Sequence, residues 1–387
     1  MPLYNYVYEQ GLSTKRTKAL GVAMTEFLLL MAFFNQANGL ELEQLQLPDG
    51  LKIEVVATAP NVRQLALAQD GTLFAGSRRA GNVYAFIDKD KDGKYEETIE
   101  IASGLNLPSG VAVEGNDLYV AEVQRILRYK NILPLKQNIG SQNSQKNLPE
   151  PEIYFDELPD KRHHGWKYLK FGPDGALYFN IGAPCNICLP EEPFATLVRL
   201  DQQKNLSIIA SGVRNSVGFT WHPTTEKIWF TDNGRDFLGD NQPSDELNRL
   251  EEYGQHFGYP FIHASGVKDP TFGGQAFGNY QLPAYDLGAH VAPLGLTFYT
   301  DNNLPGADEN TLFIAEHGSW NRSSKVGYRV VKLQIRDGKV IDHQPFIEGW
   351  LQGEDHWGRP NDVIVAEDGS LLVSDDYADV IYRISAE

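Results

Sequence analysis

One pattern recurs six times along the chain, and it constrains the fold more than any other feature. Each copy has an apolar strand-like run, a turn rich in Asp or Gly, a second such run and, after a gap, a further strand. The copies occupy 65–86, 111–129, 169–200, 219–250, 296–333 and 363–384. Asp-Gly turns between alternating apolar runs are hairpin signals, and tandem repeats of hairpins are typical of β-propellers. The sequence therefore predicts an all-β fold, a six-bladed β-propeller.

A seventh strand-like run lies ahead of the first copy. The run "LKIEVVATAP" at 51–60 is predicted to pair with the last copy, at 363–384. This pairing would close the ring and leave no exposed sheet edge. We therefore predict one propeller domain over 45–387, with the polar stretch 136–152 as an exposed loop and no second domain.

The first forty residues differ from the rest of the chain. Basic residues at 15–18 precede an apolar run at 19–34, which is interrupted by Glu26. A run of this length suits a signal peptide and is short for a membrane span. We predict that 1–40 is a signal peptide, cleaved near Ala37, or an N-terminal hydrophobic segment. The protein would then be periplasmic or secreted, with membrane contact through this segment only; a misplaced start or a lipid-facing anchor are the alternatives.

The only two cysteines are Cys185 and Cys188, in "APCNICLP". A lone CxxC can be redox-active, half of a zinc site or a small disulfide loop. No second CxxC completes a four-cysteine zinc site. For an exported protein we predict a local structural disulfide.

The net charge limits the class of partner. The formal charge is −17 at pH 7, with a pI of about 5.0. An acidic surface repels phosphate backbones, so we expect no nucleic-acid partner. A neutral small-molecule substrate or a bound cation suits this charge better.

The stretch "DKDKDG" at 88–93 resembles the start of an EF-hand loop. Position twelve of such a loop would be Ile99 rather than glutamate, and no flanking helices are evident. We predict a charged hairpin loop, with weak calcium binding as the alternative.

Polar residues recur at equivalent loop positions of the repeat, most of them just ahead of the first strand of a copy. Residues at these positions would meet at one mouth of the channel. His164 precedes the third copy, Arg214 and Asn215 precede the fourth, and Arg359 precedes the sixth. His317 follows the second strand of the fifth copy. Arginines gathered in an acidic protein indicate a bound anion, because the guanidinium fork matches carboxylates. A histidine among them could act as a general base near neutral pH.

From about residue 45 to its end, the chain resembles the soluble glucose/sorbosone dehydrogenase family, which uses pyrroloquinoline quinone (PQQ). Five stretches carry the resemblance, in this order on six repeats: "HHGWKYLKFGPDGALYFNIG", "GVRNSVGFTW", "SDELNRL…FGYP", "HGSWNR" and "GRPNDVIVAEDGSLLVSDD". The stretches "APCNIC" and "HGSWNR" are similar to the sorbosone or pyranose dehydrogenase-like branch. The family fold is a six-bladed propeller.

The resemblance implies roles for the residues at the channel mouth. His164 would take the proton of the substrate hydroxyl while hydride moves to the quinone C5, with His163 as its neighbour. Arg214 would polarise the C5 carbonyl. Asn215 would contact the cofactor, and Arg359 would pair with one of the three PQQ carboxylates.

The stretch "HGSWNR" supplies further cofactor contacts by the same resemblance. His317, Trp320 and Arg322 are predicted to bind PQQ. The glucose branch has a cofactor-contacting lysine without a secure match here, and Trp320, Arg322 or Lys325 could substitute for it.

A calcium ion beside PQQ completes the site that the resemblance implies. Backbone carbonyls of Gly234 and Arg235 would bind it, which suits a hard cation. A second, structural calcium in some members uses the glutamate that corresponds to Glu246. Asp245 and Glu246 could equally form a solvated turn.

The resemblance thus implies a PQQ- and calcium-dependent oxidoreductase that converts an aldose or sugar aldehyde, glucose-like or sorbosone-like, to a lactone or acid. Electrons would leave to an external quinone or cytochrome. A non-catalytic, NHL-like ligand-binding propeller is the alternative. A calcium-dependent lactonase would need carboxylates around a channel metal, where this chain has arginines.

Overall fold

Six sheets, each built on four antiparallel strands, form the β-propeller that the repeats predict. The computed structural model describes residues 40–135, 148–276 and 278–387. The predicted N-terminal segment lies outside the described residues, as does most of the polar stretch 136–152. Within each sheet these four strands run antiparallel to their neighbours, and short hairpin turns make most of the connections.

The strands are given blade by blade, from the channel outwards. Blade 1 has Val62–Leu67, Leu73–Ser77, Val83–Ile87 and Glu97–Ala102; blade 2 has Gly110–Glu114, Asp117–Ala121, Ile126–Tyr129 and Glu152–Phe155; blade 3 has Leu169–Phe171, Leu177–Ile181, Thr196–Leu200 and Leu206–Ser211. Blade 4 has Phe219–Trp221, Ile228–Asp232, Ser244–Leu250 and Tyr285–Ala289; blade 5 has Pro293–Phe298, Thr311–Glu316, Arg329–Arg336 and Lys339–Ile347; blade 6 has Pro360–Val365, Leu371–Asp375, Val380–Ala386 and Leu51–Thr58.

Short elements decorate this frame. Gln255–His256 adds a parallel fifth strand to blade 3. Two small hairpins pair Ile262–His263 with Val267–Lys268 and Leu351–Gln352 with Asp355–His356, and short 3-10 helices span Leu42–Gln44 and Gly273–Gln275. Across the described ranges, no helix has the length and apolar character to span a bilayer.

The chain closes the ring as predicted. Leu51–Thr58 pairs antiparallel with Val380–Ala386, so that the fourth strand of blade 6 comes from the beginning of the domain. The register joins Leu51 to Ala386 and shifts at a bulge between Val55 and Ala57. The two ends of the domain are therefore held together within one blade.

The apolar core lies between adjacent blades. Phe74 of blade 1 and Val111 of blade 2 belong to one buried cluster, and Leu65 and Leu372 join blades 1 and 6 in another. Aromatic and β-branched residues of the strands fill these interfaces, because both faces of each blade are covered by a neighbour. The six blades therefore pack face to face in a closed ring around a central channel.

The geometry of the hairpins decides where loops meet. The first strand of each blade lines the channel, and the second strand runs antiparallel to it. The segment before a first strand and the segment after a second strand therefore reach the same end of the channel. All the mouth residues that the sequence indicates belong to one of these two classes.

The acidic stretch 88–93 connects the third and fourth strands of blade 1, as a hairpin loop. Asp88 accepts backbone hydrogen bonds from Lys91 and Gly93 at 2.6 and 2.9 Å. The carboxylates of Asp88, Asp90, Asp92 and Glu96 come within 4.8 Å of one another. This arrangement agrees with the predicted charged loop.

Candidate active site

A cavity of about 390 Å³ opens at one end of the channel, where the first strands begin. Its wall is strongly cationic for a protein of net charge −17. Two carboxylates, from Asp236 and Asp245, face five arginines: Arg63, Arg78, Arg79, Arg214 and Arg359. This charge distribution suits a ligand with several negative charges.

His164 lies in the cavity wall just before the first strand of blade 3. Its side chain is buried, and its Nδ1 lies 2.9 Å from the carbonyl oxygen of Ala183. Because a carbonyl only accepts, Nδ1 carries the proton, and Nε2 of the neutral ring keeps its lone pair. Burial, together with the positive charge of Arg214, lowers the pKa of His164 well below 6.5. His164 is therefore a neutral base at pH 7.

Two glycines make room for this histidine. His164 itself has a φ of 48°, in the left-handed region that few side chains adopt. A Cβ on Gly165 would lie 2.2 Å from the carbonyl oxygen of Lys161, and one on Gly182 would lie 2.6 Å from the His164 Cβ. The strained backbone is thus held by close packing, as is common at functional sites. His163 is exposed and does not line the cavity, although its ring lies 4.2 Å from that of His164.

Arg214 is fixed by hydrogen bonds along its whole guanidinium. Nε donates to the Asn186 carbonyl oxygen at 2.9 Å, and Nη1 donates to the Asn233 carbonyl oxygen at 2.9 Å. Nη2 donates to Asn186 Oδ1 at 2.8 Å and to Asp236 Oδ2 at 3.3 Å. Four of the five N–H groups of the side chain are therefore occupied, and one N–H of Nη1 remains for a ligand.

Cys185 and Cys188 form a disulfide, as predicted for an exported protein. The loop that it closes contains Asn186, the main partner of Arg214. The disulfide loop is thus part of the support of the site.

Two buried carboxylates that the sequence did not indicate as site residues hold the backbone of the mouth. Asp232, at the end of the second strand of blade 4, accepts from the backbone N–H of Arg214 at 2.7 Å and of Asn215 at 2.6 Å. Asp245 accepts from Gly234 and Ala292, both at 2.7 Å. Burial raises the pKa of both aspartates. The idea of a solvated turn at Asp245 and Glu246 is wrong, because both residues are buried within a strand.

Arg359 reaches the cavity with most of its donors unused. Nε and Nη2 donate to the carbonyl oxygens of His317 and Gly318 at 2.9 and 2.6 Å, which leaves three N–H groups. His317 lies beside it and donates from Nε2 to Asp376 at 2.6 Å. Burial lowers the pKa of His317 to about 4, so this imidazole is neutral at pH 7.

Sequence reasoning missed Arg78 and Trp166. The Arg78 guanidinium carbon lies 3.7 Å from the centre of the Trp166 ring, and this side chain makes no hydrogen bond or ion pair with the described residues. Burial and the charge of Arg63 lower the pKa of Arg78 to about 9. The stretch "GSRRAG" could have revealed Arg78. Arg78 directly follows the second strand of the first copy, just as His317 directly follows the second strand of the fifth copy.

The remaining predicted cofactor residues are placed differently. Asn215 lines the cavity, and its buried Oδ1 has no partner within the described chain. Trp320 also lines the cavity, but 68% of its side chain is exposed, at the rim. Arg322 is not among the residues that line the cavity, and it donates from Nη1 to the carbonyl oxygen of Asp240.

The predicted metal ligands are also divided. Gly234 lines the cavity, and neither its carbonyl oxygen nor that of Arg235 accepts a hydrogen bond from the described residues. The Arg235 side chain turns to Asp269, at 2.6 Å. Glu246 lies outside the cavity wall, and its oxygens accept from Ala264 N–H at 2.7 Å and Asn248 Nδ2 at 2.9 Å.

The residues present fit PQQ. A tricarboxylate would meet the free donors of Arg78 and Arg359, and the buried Trp166 Nε1 also has no partner among the described residues. The two free carbonyl oxygens at Gly234 and Arg235 are the kind of ligand that calcium takes. Residues that could hold the cofactor therefore surround the neutral His164.

Solved structures share this fold. An iodide structure of a carbohydrate-active enzyme of family AA12 from Trichoderma reesei is 18% identical, has a TM-score of 0.72, and is matched over 89% of this chain and 98% of that one. The holo form of the PQQ domain of pyranose dehydrogenase from Coprinopsis cinerea is 17% identical, with a TM-score of 0.71 over 88% of this chain and 97% of that one. At such low identity, the likeness establishes the fold.

Sequence comparisons establish the family. A protein of Borreliella burgdorferi described as "Uncharacterized protein" is 39% identical over 357 residues, or 89% of this chain and 91% of that protein. The family model for a domain of unknown function, DUF7133, matches residues 38–384, which include strands of all six blades and the residues of the cavity wall. This chain therefore belongs to the DUF7133 family.

Proposed function

We propose that this chain is a PQQ- and calcium-dependent oxidoreductase that oxidises an aldose or sugar aldehyde to a lactone or acid. One observation carries the proposal: His164 presents an unprotonated Nε2 in an arginine-lined cavity. A neutral base beside donors for a polyanion is what hydroxyl oxidation with an anionic cofactor requires. The likeness to the PQQ domain of pyranose dehydrogenase supports the same reading.

Residues in and beside the cavity wall have separate parts in this proposal. Arg78 and Arg359 would bind the carboxylates of PQQ, and Asn215 would contact the ring system. Carbonyl oxygens of Gly234 and Arg235 would hold calcium. Bound PQQ would supply the two-electron acceptor for the hydride of the sugar.

His164 would remove the proton from the hydroxyl on the carbon being oxidised. Its Nδ1–H stays on the Ala183 carbonyl, so the ring orientation does not change when Nε2 takes the proton. Arg214 has one N–H without a partner among the described residues, and it would polarise the C5 carbonyl of bound PQQ and stabilise the negative charge that develops on that oxygen. Its other donors are fixed in advance, so little reorganisation is needed.

Location and electron transfer belong to the same proposal. The disulfide suits an oxidising compartment, so we place the protein in the periplasm or outside the cell. Electrons would leave to an external quinone or cytochrome.

A titration tests the proposal. The purified full chain is titrated with PQQ, with and without calcium, while quinone absorbance is followed. Saturable, calcium-dependent binding near one equivalent, followed by dye-linked oxidation of sugars that His164→Ala abolishes, is the expected result. A chain that does not bind PQQ would instead be a non-catalytic, NHL-like binding propeller.

A further inference from the structure

Two large aromatic side chains lie exposed at the rim of the cavity. Phe237 is 66% exposed and Trp320 is 68% exposed, and they are among the large apolar side chains that the fold leaves in solvent. Their ring centres are 5.8 Å apart, with an angle of 87° between the planes. Exposed aromatic surface next to a cavity marks a place where a ligand or partner binds.

The backbone of Phe237 adopts a conformation of unfavourable energy. Its φ is 69°, in the left-handed region that is unfavourable for a bulky residue. Such strain persists only where the surroundings enforce it, and it is typical of ligand-contacting positions. A side chain that packs against the core would compensate for the strain, whereas the Phe237 ring lies mostly in solvent.

Two loops that are far apart in sequence are tied together below the rings. Asp240, three residues after Phe237, accepts from the Arg322 guanidinium with its carbonyl oxygen. Its carboxylate accepts from the backbone N–H of Ser323 at 3.0 Å. The His290 Nε2 lies 2.8 Å from the carbonyl oxygen of Gly239. The pair is therefore held in place before any ligand arrives, which lowers the entropy cost of binding.

Polar groups beside the rings suit hydroxyl groups. Asp236 and Asn321 both line the cavity next to the aromatic pair. Asp236 uses Oδ2 for Arg214, which leaves Oδ1 as an acceptor, and the Asn321 amide has no hydrogen bond to the described residues. Sugar rings have apolar faces of C–H groups and edges of hydroxyls, so an aromatic face flanked by a carboxylate and an amide matches them.

We infer that Phe237 and Trp320 form a stacking platform for a second sugar ring, outside the ring that is oxidised. This inference rests on the proposed function and narrows its substrate class to oligosaccharides with a free end in the cavity. The cavity of about 390 Å³ would enclose the cofactor and the reacting end. The next ring would then lie at the rim, against the aromatic pair.

Binding measurements on the full chain test the platform without relying on turnover. Isothermal titration calorimetry with maltotriose, cellotriose and xylotriose is compared with glucose and xylose, with and without PQQ and calcium. We expect at least one trisaccharide to bind about tenfold more tightly than its monosaccharide. Phe237→Ala should remove this difference, Phe237→Tyr should keep it, and neither should change the PQQ titration. Tyr253→Ala, an exposed aromatic outside the cavity, is the matched control.

Other outcomes overturn the inference. One is equal binding of trisaccharides and monosaccharides by the unmodified chain, and another is an equal loss of both in Phe237→Ala. If Phe237→Ala slows only the reduction of cytochrome c, the pair is a docking surface for a protein acceptor. If the chain does not bind PQQ but still binds a trisaccharide more tightly than its monosaccharide, the proposed dehydrogenase function is wrong and the sugar-binding role of Phe237 and Trp320 stands.

Discussion

Asn186 holds Arg214 with both of its oxygens: the carbonyl accepts from Nε at 2.9 Å, and the amide oxygen accepts from Nη2 at 2.8 Å. The same amide oxygen accepts from the backbone N–H of Asp236 at 2.9 Å. Because Asn186 lies inside the loop that the Cys185–Cys188 disulfide closes, a covalent ring supports the buried cation of the cavity. We therefore expect the orientation of Arg214 to depend on the redox state of the two cysteines.

Removal of the disulfide should impair the site more than the fold. In Cys185→Ser/Cys188→Ser, we expect turnover to fall about 10- to 100-fold, since a small displacement of a catalytic group has effects of that size. Thermal unfolding should change little, because the blades do not depend on this loop. Dithiothreitol should lower the activity of the unmodified chain and leave that of the double variant unchanged. Equal activity of the oxidised and reduced chain would contradict the prediction.

His164→Gln should abolish most turnover. Loss of a general base costs about 10²- to 10⁴-fold in rate. PQQ affinity should stay within about threefold, because the carboxylate-binding donors belong to other side chains. His163→Gln is the matched control, since His163 is adjacent and exposed, and its rate should hardly change. A large loss of turnover in His163→Gln, with little change in His164→Gln, would show instead that His163 is the general base.

The pH dependence of kcat/KM should reflect the depressed pKa of His164. Burial and Arg214 lower this pKa well below 6.5, so the ring is still neutral when pH falls through 6.5. The rate constant should therefore stay level there and decline only at lower pH. Measurement between about pH 4 and about pH 8 checks this. A midpoint at or above 6.5 would show that a different group is the base.

Arg78→Gln should weaken PQQ binding. This guanidinium makes no ion pair or hydrogen bond with a described residue, and a charge-assisted hydrogen bond contributes about 1.5–3 kcal/mol. We expect the dissociation constant to rise about 10- to 100-fold, with a smaller effect at high salt. Arg162→Gln is the control, since Arg162 is exposed and outside the cavity wall. An unchanged affinity in Arg78→Gln would assign the carboxylates to other donors.

The contribution of Asp375 to the free energy of unfolding should fall as pH rises from mildly acidic to neutral. Burial raises the pKa of Asp375 from 3.8 to about 7. Between these two values the folded chain keeps a proton that the unfolded chain has released, so a rise in pH favours unfolding. Buried histidines such as His164 and His317, whose pKa is lowered, contribute with the opposite sign, so the test compares two chains. The melting temperature of Asp375→Asn, relative to that of the unmodified chain, should be higher at about pH 8 than at about pH 5. A difference between the two chains that does not change with pH would contradict the prediction.

The fold was accessible from sequence because its signals are local. Alternating apolar runs and Asp-Gly turns mark every hairpin, and each first strand begins next to the stretch that supplies mouth residues. The placement of His164, Arg214 and Arg359 at one cavity follows from that phase. Arg78 carries the same signal, because it follows a second strand as His317 does.

Side-chain direction was less accessible. Arg322 is the residue type that commonly binds an anionic cofactor. Its guanidinium nevertheless donates to the carbonyl oxygen of Asp240, 82 residues away in the chain. Glu246 lies in a strand, where it is paired with Asp232 of the neighbouring strand. Its carboxylate accepts hydrogen bonds from the backbone N–H of Ala264 and from the Asn248 amide. These outcomes depend on partners that come from distant segments.

The sequence by itself determined the number of blades, the closing strand and the end of the channel that carries the polar loops, because periodicity and turn chemistry act between residues close in the chain. Only the tertiary structure decided that His164 is a neutral base, that Arg78 forms no ion pair with a described residue, and that Phe237 and Trp320 meet in solvent. A pKa, an unpaired charge and an exposed ring depend on which distant groups surround a side chain, and folding alone brings those groups together.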